Sequence, residues 1–178
     1  MDYRLHTIND LEAIVRLFAS VFGDSEGEVE GALISRLARD LFEKTDENDL
    51  FNFVADNAGR IIGSIFFSRL RFESGIEAFI LGPVAVHSDY QGKGIGQALL
   101  NYGLKELKDR GVSIVLTYGD PNFYHKAGFR SISHEVIRAP FELAQPQGWL
   151  GQSLVGDPIE TLSGSCTCVE ALNNPVYW

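Results

Sequence analysis

A glycine-rich turn between a predicted strand and a predicted helix carries the clearest chemistry in this sequence. It reads Gln91-Gly92-Lys93-Gly94-Ile95-Gly96. Glycine lets the backbone turn sharply and lets a ligand approach the peptide N–H groups closely. The first N–H groups of a helix have no acceptor within the helix, and the helix dipole makes that end positive. With the ammonium group of Lys93 added, this turn is suited to bind phosphate.

The two common nucleotide-binding motifs fit this turn poorly. A P-loop needs Ser or Thr after its lysine, whereas Lys93 is followed by Gly94. In the dinucleotide fingerprint the third glycine would fall on Gln97 or Leu99. A turn whose glycines serve packing alone is the alternative, but three glycines after a proline-interrupted strand are more than a turn requires.

The turn also matches a family signature, Gln/Arg-x-x-Gly-x-Gly/Ala, and the chain resembles the GCN5-related N-acetyltransferase (GNAT) superfamily. Residues 81–91 resemble the family's fourth strand and the entry to its pyrophosphate loop, and residues 119–129 resemble the exit from its fifth strand. The Leu-Gly-Pro-Val-Ala-Val and Gly-Asp-Pro variants resemble the YhbS-like branch of acetyltransferases. The resemblance follows the element order over residues 1–137 and is specific over residues 81–129.

The resemblance implies an enzyme that transfers an acetyl group from acetyl-CoA to a primary amine of a small molecule or peptide. The co-substrate would lie between two splayed strands, and the amine would attack the thioester directly. A backbone N–H near Val84 or Ala85 would polarise the thioester carbonyl. The residues implied in acetyl-CoA binding are Val84, Ala85, Val86, Gln91, Gly92, Lys93, Gly94, Ile95 and Gly96.

Two proton transfers need side chains or water. In the resemblance, Tyr124 matches the tyrosine that protonates the departing thiolate; the alternative is an aromatic side chain packed beside Phe123 and Phe129. The glutamate common on the family's fourth strand falls at Ile80 here, so the resemblance leaves the base open. Glu77, on the same predicted strand, could take the amine proton directly or through water, and ordered water alone is the other alternative.

Neither a metal nor a disulfide is expected. The four histidines are scattered, so a histidine metal site is improbable and no metal is predicted. Cys166 and Cys168 would share one face of a strand and could bind metal or form a redox pair, but two small residues in a late strand is the preferred interpretation. A reduced, cytoplasmic protein fits this cysteine usage.

The remaining pattern predicts the elements that position the turn. Asn9 is predicted to cap a first helix that Gly23 ends, and Pro83 is predicted to break strand pairing. The other predicted strands are residues 3–8, 50–56, 60–70, 76–86, 112–118, 129–137 and 161–172. The other predicted helices are residues 28–44, 94–110 and Pro121 to Gly128. The helix at 28–44 has an apolar stripe of Val29, Leu33, Leu37 and Leu41. A strand–helix–strand unit predicts residues 84–86 and 114–116 as parallel neighbours. With the resemblance, this is an α/β fold: a GNAT-like mixed, mostly antiparallel twisted sheet with splayed parallel central strands and flanking helices.

Length and charge limit the function classes. The 178 residues fit one domain, with a core over residues 1–137 and an extension over 138–178. The net charge of −9 argues against a nucleic-acid binder, and no apolar run approaches the length of a membrane span. Residues 1–60 carry a net charge of −7, which favours a cationic amine acceptor, whereas residues 61–138 carry +2 and include the turn.

Partners and competing functions stay open at this point. The apolar ending, residues 175–178, could pack on a partner subunit as a homodimer or on its own core. A non-catalytic acyl-CoA-binding or regulatory module on the same fold is one alternative function. A nucleotide-binding protein that uses the glycine turn alone is another.

Overall fold

The computed structural model describes residues 1–156 and 158–178. The helices are α1 (Leu11–Glu26), α2 (Glu28–Lys44), α3 (Ile95–Asp109) and α4 (Pro121–Tyr124). The strands are β1 (Asp2–Leu5), β2 (Leu50–Asn57), β3 (Arg60–Phe72), β4 (Ala78–Val86), β5 (Ile114–Tyr118), β6 (Arg130–Ser131), β7 (Trp149–Ser153) and β8 (Cys166–Thr167).

The strands follow the order β1-β2-β3-β4-β5-β7-β6, and β8 pairs with β3. The pairs β1–β2, β5–β7, β6–β7 and β3–β8 are antiparallel, whereas β4 and β5 are parallel. The predicted α/β class, a mostly antiparallel sheet with parallel central strands and flanking helices, is therefore confirmed.

The parallel pair has a different register from the predicted one. Ala78 pairs with Ile114, and the pairing runs to Leu81 and Thr117. The prediction that residues 84–86 lie beside residues 114–116 is wrong, because residues 78–80, six positions earlier, pair with residues 114–116. The break predicted at Pro83 is confirmed: the pairing ends immediately before Gly82, whose φ of +145° is a conformation that side-chain-bearing residues rarely adopt.

The chain divides into two compact units, Met1–Phe67 with Pro83–Gly103, and Ser68–Gly82 with Leu104–Trp178. The prediction of one domain with an extension after residue 137 stays a prediction. Within the second unit, this late segment supplies β7, which pairs with both β5 and β6.

In the first unit, α1 and α2 form a close helix pair. A Cβ on Gly31 would lie 2.6 Å from the Ala19 carbonyl oxygen and 2.8 Å from the Gly23 nitrogen, so glycine at 31 lets the two backbones approach. The prediction that Gly23 ends α1 is wrong, because the helix continues to Gly27, whose φ is +99°. The predicted stripe of α2 is wrong at Val29, which is 85% exposed.

In the second unit, the predicted late strands are shorter than the sequence pattern indicates. Of residues 129–137 only Arg130–Ser131 form a strand, because a turn follows in which the Val136 N–H bonds to the Ser133 carbonyl at 3.0 Å. Of residues 161–172 only Cys166–Thr167 form one.

The C-terminal aromatic residue packs within the second unit. Trp178 is buried, its ring centroid lies 6.3 Å from that of Trp149, and its indole N–H donates to the Leu172 carbonyl at 3.0 Å. These contacts fit the predicted packing of the ending on its own core, and the homodimer stays a prediction.

The two cysteines are free thiols in the same unit. Burial raises the pKa of the Cys166 thiol to about 12 and also raises the pKa of Cys168. Because the thiolate is the reactive form, both are weak nucleophiles at neutral pH.

Candidate active site

The glycine turn between β4 and α3 lies in the first unit and is exposed. Gly92 and Gly94 have φ values of +71° and +78°, in the left-handed region that favours glycine. A Cβ added to either residue would meet no atom within 4 Å, so the space over this backbone is open. The glycines therefore serve the turn itself and close approach from outside.

The helix that follows begins at its predicted place. The Ala98 N–H donates to the Gly94 carbonyl at 3.0 Å, which makes Ile95 and Gly96 the first residues of α3. Their N–H groups belong to the set that has no acceptor inside a helix. Backbone donors at a positive helix end, next to exposed glycines, suit the oxygens of a phosphate group.

Side chains of the same turn hold it together. The Gln91 side-chain amide donates to the Val86 carbonyl at 2.9 Å and ties the turn back to the end of β4. The Lys93 ammonium donates to the Asp89 carbonyl at 2.8 Å and lies 5.3 Å from the centroid of the Tyr90 ring. The positive charge of Lys93 is thus fixed beside the turn.

A second cation lies next to this turn. The Arg60 guanidinium donates to Nε2 of His87 at 2.8 Å. The Nδ1 atom of the same ring lies 3.3 Å from the Asp89 backbone nitrogen. Arg60 and Lys93 are therefore two cations held near the open glycines.

The end of β4 has one edge directed away from β3. The His87 N–H donates to the Ile62 carbonyl on β3 at 2.8 Å. Since peptide groups of successive residues in a strand point to opposite sides, Ala85 also faces β3, and Val84 and Val86 face the other edge. Of the three β4 residues among those predicted to contact the co-substrate, Val84 and Val86 present their backbone groups there.

In the second unit, β4 and β5 part at a side-chain hydrogen bond. The Thr117 hydroxyl, fully buried, donates to the Leu81 carbonyl at 2.9 Å. Leu81 and Thr117 are the last pair of the parallel ladder. The hydroxyl therefore gives Leu81 a hydrogen bond at the point where backbone pairing of these strands stops.

Tyr124 lies in the short helix after β5 in the same unit. Asp120 caps this helix by accepting from the Asn122 N–H at 2.9 Å. The Tyr124 ring lies against the backbone of Gly119, where a Cβ would come within 2.8 Å of the ring carbon Cε2. Its centroid is 5.7 Å from that of Phe129.

The ionisation of Tyr124 follows from this position. Burial raises the pKa of the phenol, a hydrogen bond with the Thr117 hydroxyl lowers it, and the charge of Asp120 raises it further. The net direction is upward, so the phenol carries its proton at neutral pH and can donate it.

Glu77 lies at the other end of the parallel strands. It precedes the first residue of β4, its side chain is 53% exposed, and its carboxylate forms an ion pair with Arg69. It lies four positions before Leu81, about 13 Å along the strand. The structure therefore does not bring the two predicted catalytic residues, Glu77 and Tyr124, together.

The sequence and the fold are similar to those of known acetyltransferases. The profile of the Acetyltransferase (GNAT) domain matches residues 48–131. The uncharacterized N-acetyltransferase YjhQ of Escherichia coli K12 is 29% identical over 140 residues, 75% of this chain and 77% of that protein. The uncharacterized N-acetyltransferase YhbS of the same strain is 30% identical over 114 residues, 64% of this chain and 65% of its own length.

Solved structures extend the similarity to nearly the whole chain. The crystal structure of YhbS from Escherichia coli in complex with CoA has a TM-score of 0.83 and 25% identity, and the match covers 98% of this chain and 92% of that one. The chain thus resembles the GNAT family of acetyltransferases in both sequence and fold. A GNAT acetyltransferase from Brucella melitensis in complex with acetyl-CoA shares the fold, with a TM-score of 0.70, 22% identity and 96% of each chain covered.

Two residues near this candidate site were not predicted. Arg60 follows the Asn57-Ala58-Gly59 turn, and the predicted antiparallel packing of its strand against residues 76–86 could have indicated that it lies near His87. Thr117 is a lone hydroxyl in a strongly apolar strand, and a buried polar side chain of this kind needs a partner. Within the described part of the chain, no helix is long and apolar enough to cross a membrane and no cluster of His, Cys, Asp or Glu could hold a metal ion.

Proposed function

We propose that the chain transfers an acetyl group from acetyl-CoA to a primary amine of a small molecule or peptide. The geometry of residues 91–96 carries this proposal, because two left-handed glycines with open space over them precede the first N–H groups of a helix. That arrangement fits a phosphate-bearing molecule. The CoA in the YhbS crystal structure supports acetyl-CoA as this molecule.

The contacts of the co-substrate follow from the turn and the end of β4. Its pyrophosphate binds the backbone N–H groups of residues 91–96 with help from the Lys93 ammonium. Its pantetheine arm pairs with the edge of β4 that Val84 and Val86 present, while Ala85 packs toward β3. The N–H of Val84 polarises the thioester carbonyl, because it points away from β3.

The reaction needs a nucleophile and an acid. The neutral amine forms a bond to the thioester carbonyl carbon, the carbon–sulfur bond breaks, and the thiolate leaves. Tyr124 donates its phenolic proton to the sulfur, since a protonated thiol is the better leaving group. The tyrosine regains a proton from solvent, and the amide nitrogen loses its extra proton.

The acceptor of the amine proton is the least defined part of the proposal. Glu77 stays a prediction for this base, acting through water. Its ion pair with Arg69 and its place at the amino end of β4 favour ordered water as the immediate acceptor. The variant Glu77→Gln decides between them, because loss of a base lowers turnover most above the pKa of that base and removes the acidic limb of the pH profile, whereas loss of a solvated strand-end charge does neither.

The acceptor class is a primary amine, and charge favours cationic members. Residues 1–60 carry a net charge of −7 and include both α1 and α2. A negative potential raises the local concentration of a cationic amine and speeds its association.

Binding and transfer are tested in sequence. Thermal unfolding is followed with acetyl-CoA, CoA, ATP and NAD, because a ligand that binds only the folded state raises Tm with its concentration. Thiol release is then measured across a panel of amines that includes polyamines and short peptides. A Tm shift with acetyl-CoA without thiol release for any amine would indicate an acyl-CoA-binding module, and a shift with ATP or NAD alone would indicate a nucleotide-binding protein.

The role of the turn is tested with a matched pair of glycines. Gly94→Val adds a side chain where the phosphate would lie, in the open space over a residue with a φ of +78°. Gly111→Val adds the same side chain after α3, at a φ of +84° and also in open space. We expect both to lower Tm, but only Gly94→Val to abolish the shift with acetyl-CoA.

A further inference from the structure

A cleft opens beside β6 and β7 in the second unit, and its volume of about 450 Å³ is within the usual range of small-molecule sites. Its described lining shares no residue with those assigned to the co-substrate, and includes Arg130, Ile132, Val136, Gly151, Gln152 and Ile159. Gln152 pairs with Val115, the second residue of β5. The strands β4 and β5 part after Thr117, toward the other end of β5, so the cleft is separate from that point.

The side-chain amide of Gln152 supplies an unused hydrogen-bond acceptor to this cleft. A Cβ on Gly128 would lie 2.8 Å from its Nε2, 3.4 Å from its Cδ and 3.8 Å from its Oε1, so the amide lies across the Gly128 backbone. The Oε1 atom is buried and has no hydrogen-bond partner among residues 1–156 and 158–178. Because a buried polar atom of this kind needs a partner, the oxygen is suited to accept from an N–H or O–H group of a ligand.

The side chain of Arg130 brings a positive charge to the same cleft. Its guanidinium donates to the Phe129 carbonyl at 2.9 Å, and within the described part of the chain it forms no ion pair. A guanidinium carries several N–H donors and no acceptor, so the remaining donors suit the two oxygens of a carboxylate.

Two isoleucine side chains form an apolar part of the lining. A Cβ on Gly151 would clash with Cδ1 of Ile132 and would lie 3.1 Å from Cδ1 of Ile159, so both side chains meet over this glycine. Gly151 pairs with Arg130 between β6 and β7, which places the apolar contact beside the cation. The cleft therefore offers a cation, an acceptor and an apolar surface.

We propose that this cleft binds a small apolar molecule that carries both a carboxylate and an N–H donor, which is the chemistry of an apolar amino acid. The carboxylate accepts from Arg130, and the ammonium donates to Oε1 of Gln152. The apolar side chain of the ligand packs on Ile132 and Ile159. The ligand is an effector and is not the amine that is acetylated, because the cleft lies away from the end of β5 where β4 and β5 part.

Three probes of similar apolar shape test the two polar contacts separately. Leucine carries both groups, isocaproate carries the carboxylate alone, and isoamylamine carries the ammonium alone. Binding of each to the full chain is measured by ligand-observed NMR titration. We expect leucine to bind at least about tenfold more tightly than either analogue, because each analogue lacks one charge-assisted hydrogen bond. Saturating CoA should leave the affinity for leucine unchanged.

Two variants assign each contact to its residue. Gln152→Met removes the amide oxygen and should weaken leucine about fivefold, but it should not weaken isocaproate, which has no ammonium. Arg130→Met should weaken leucine about tenfold, but it should not weaken isoamylamine, which has no carboxylate. Gln147→Met and Arg138→Met are the matched controls, because both residues are exposed and lie outside the described lining, and they should bind leucine like the wild type.

The possible results separate this site from the proposed acetyl transfer. Absence of leucine binding to the wild type, or competition between leucine and CoA, would overturn the site and leave the acetyl transfer standing. An equal loss of all three probes in either variant would also overturn it, because the residue would then support the fold instead of contacting the ligand. Thiol release from acetyl-CoA with leucine, abolished by Gln152→Met, would overturn the role of the ligand as an effector.

Discussion

Arg60 donates a hydrogen bond from its guanidinium to Nε2 of His87 at 2.8 Å, which holds a cation next to the exposed turn at residues 91–96. This contact joins the start of β3 to the end of β4 within the first unit. The charge is exposed to water, so its attraction for a phosphate is screened by salt.

Replacing this cation should weaken the binding of acetyl-CoA. We expect Arg60→Gln to raise the Kd about two- to fivefold, since exposed charge interactions contribute up to about 1 kcal/mol. The loss should shrink as salt is added, and calorimetric titration at two salt concentrations measures both effects. Arg36→Gln, which removes an exposed charge from α2, is the matched control and should bind like the wild type.

Gly119 offers a way to move Tyr124 without touching its phenol. A Cβ at 119 would lie 2.8 Å from the ring carbon Cε2, so Gly119→Ala must displace the ring by several tenths of an ångström. We expect kcat to fall at least about tenfold, because a small misplacement of a catalytic group is costly. The Tm shift with acetyl-CoA should be retained, and turnover equal to wild type would contradict the acid role.

The sequence pattern predicted the elements around the turn better than those after residue 129. Gln91–Gly96 is a local signal, because strand, glycine and helix are adjacent in the chain and need no distant contact. The register of β4 on β5 is a long-range property, and the pattern placed it too late. Pro83 indicated where the pairing of β4 with β5 ends. It did not indicate which residues of these two apolar strands pair before that point.

Other features depend on packing that no local pattern records. Gly23 looks like a helix end in sequence, but it lies inside α1 opposite Gly31. The strand β7 went unpredicted because glycine and proline interrupt its surroundings, and because its partners β5 and β6 come earlier in the chain. Glu77 is a candidate base because it shares a predicted strand with the family's glutamate position, but the parallel register puts it at the opposite end of the strands from Tyr124.

Replacing glycine by alanine should change stability in opposite directions at Gly23 and at Gly31. A Cβ at Gly23 would meet no atom within 4 Å, so Gly23→Ala should stabilise the protein by about 0.5–1 kcal/mol through helix propensity. A Cβ at Gly31 would lie 2.6 Å from the Ala19 carbonyl oxygen, so Gly31→Ala should destabilise it by about 1–3 kcal/mol. Urea unfolding of both variants measures the difference, and equal effects would contradict the close helix contact.

The ion pairs of Arg4 predict how stability depends on pH. The guanidinium bonds the Asp10 carboxylate at 2.7 Å and Asp56 at 2.8 Å, and Asp10 also accepts from the Thr7 N–H at 2.7 Å. These bonds hold the pKa of Asp10 well below its usual range, and the bond from Arg4 has the largest effect. A depressed carboxyl pKa stabilises the fold above the pKa of the unfolded chain, near ~3.9, and this contribution is lost as the pH falls below that value.

Removal of the guanidinium tests this dependence. Arg4→Met should lower the free energy of unfolding at neutral pH by about 1–2 kcal/mol and flatten its decline between about pH 4 and pH 2. Arg39→Met is the matched control, because its pair with Glu12 is exposed, with side-chain exposures of 38% and 58%, and should change stability far less. Urea unfolding at several pH values measures both variants, and an unchanged acid slope in Arg4→Met would show that the pair with Asp10 does not set it.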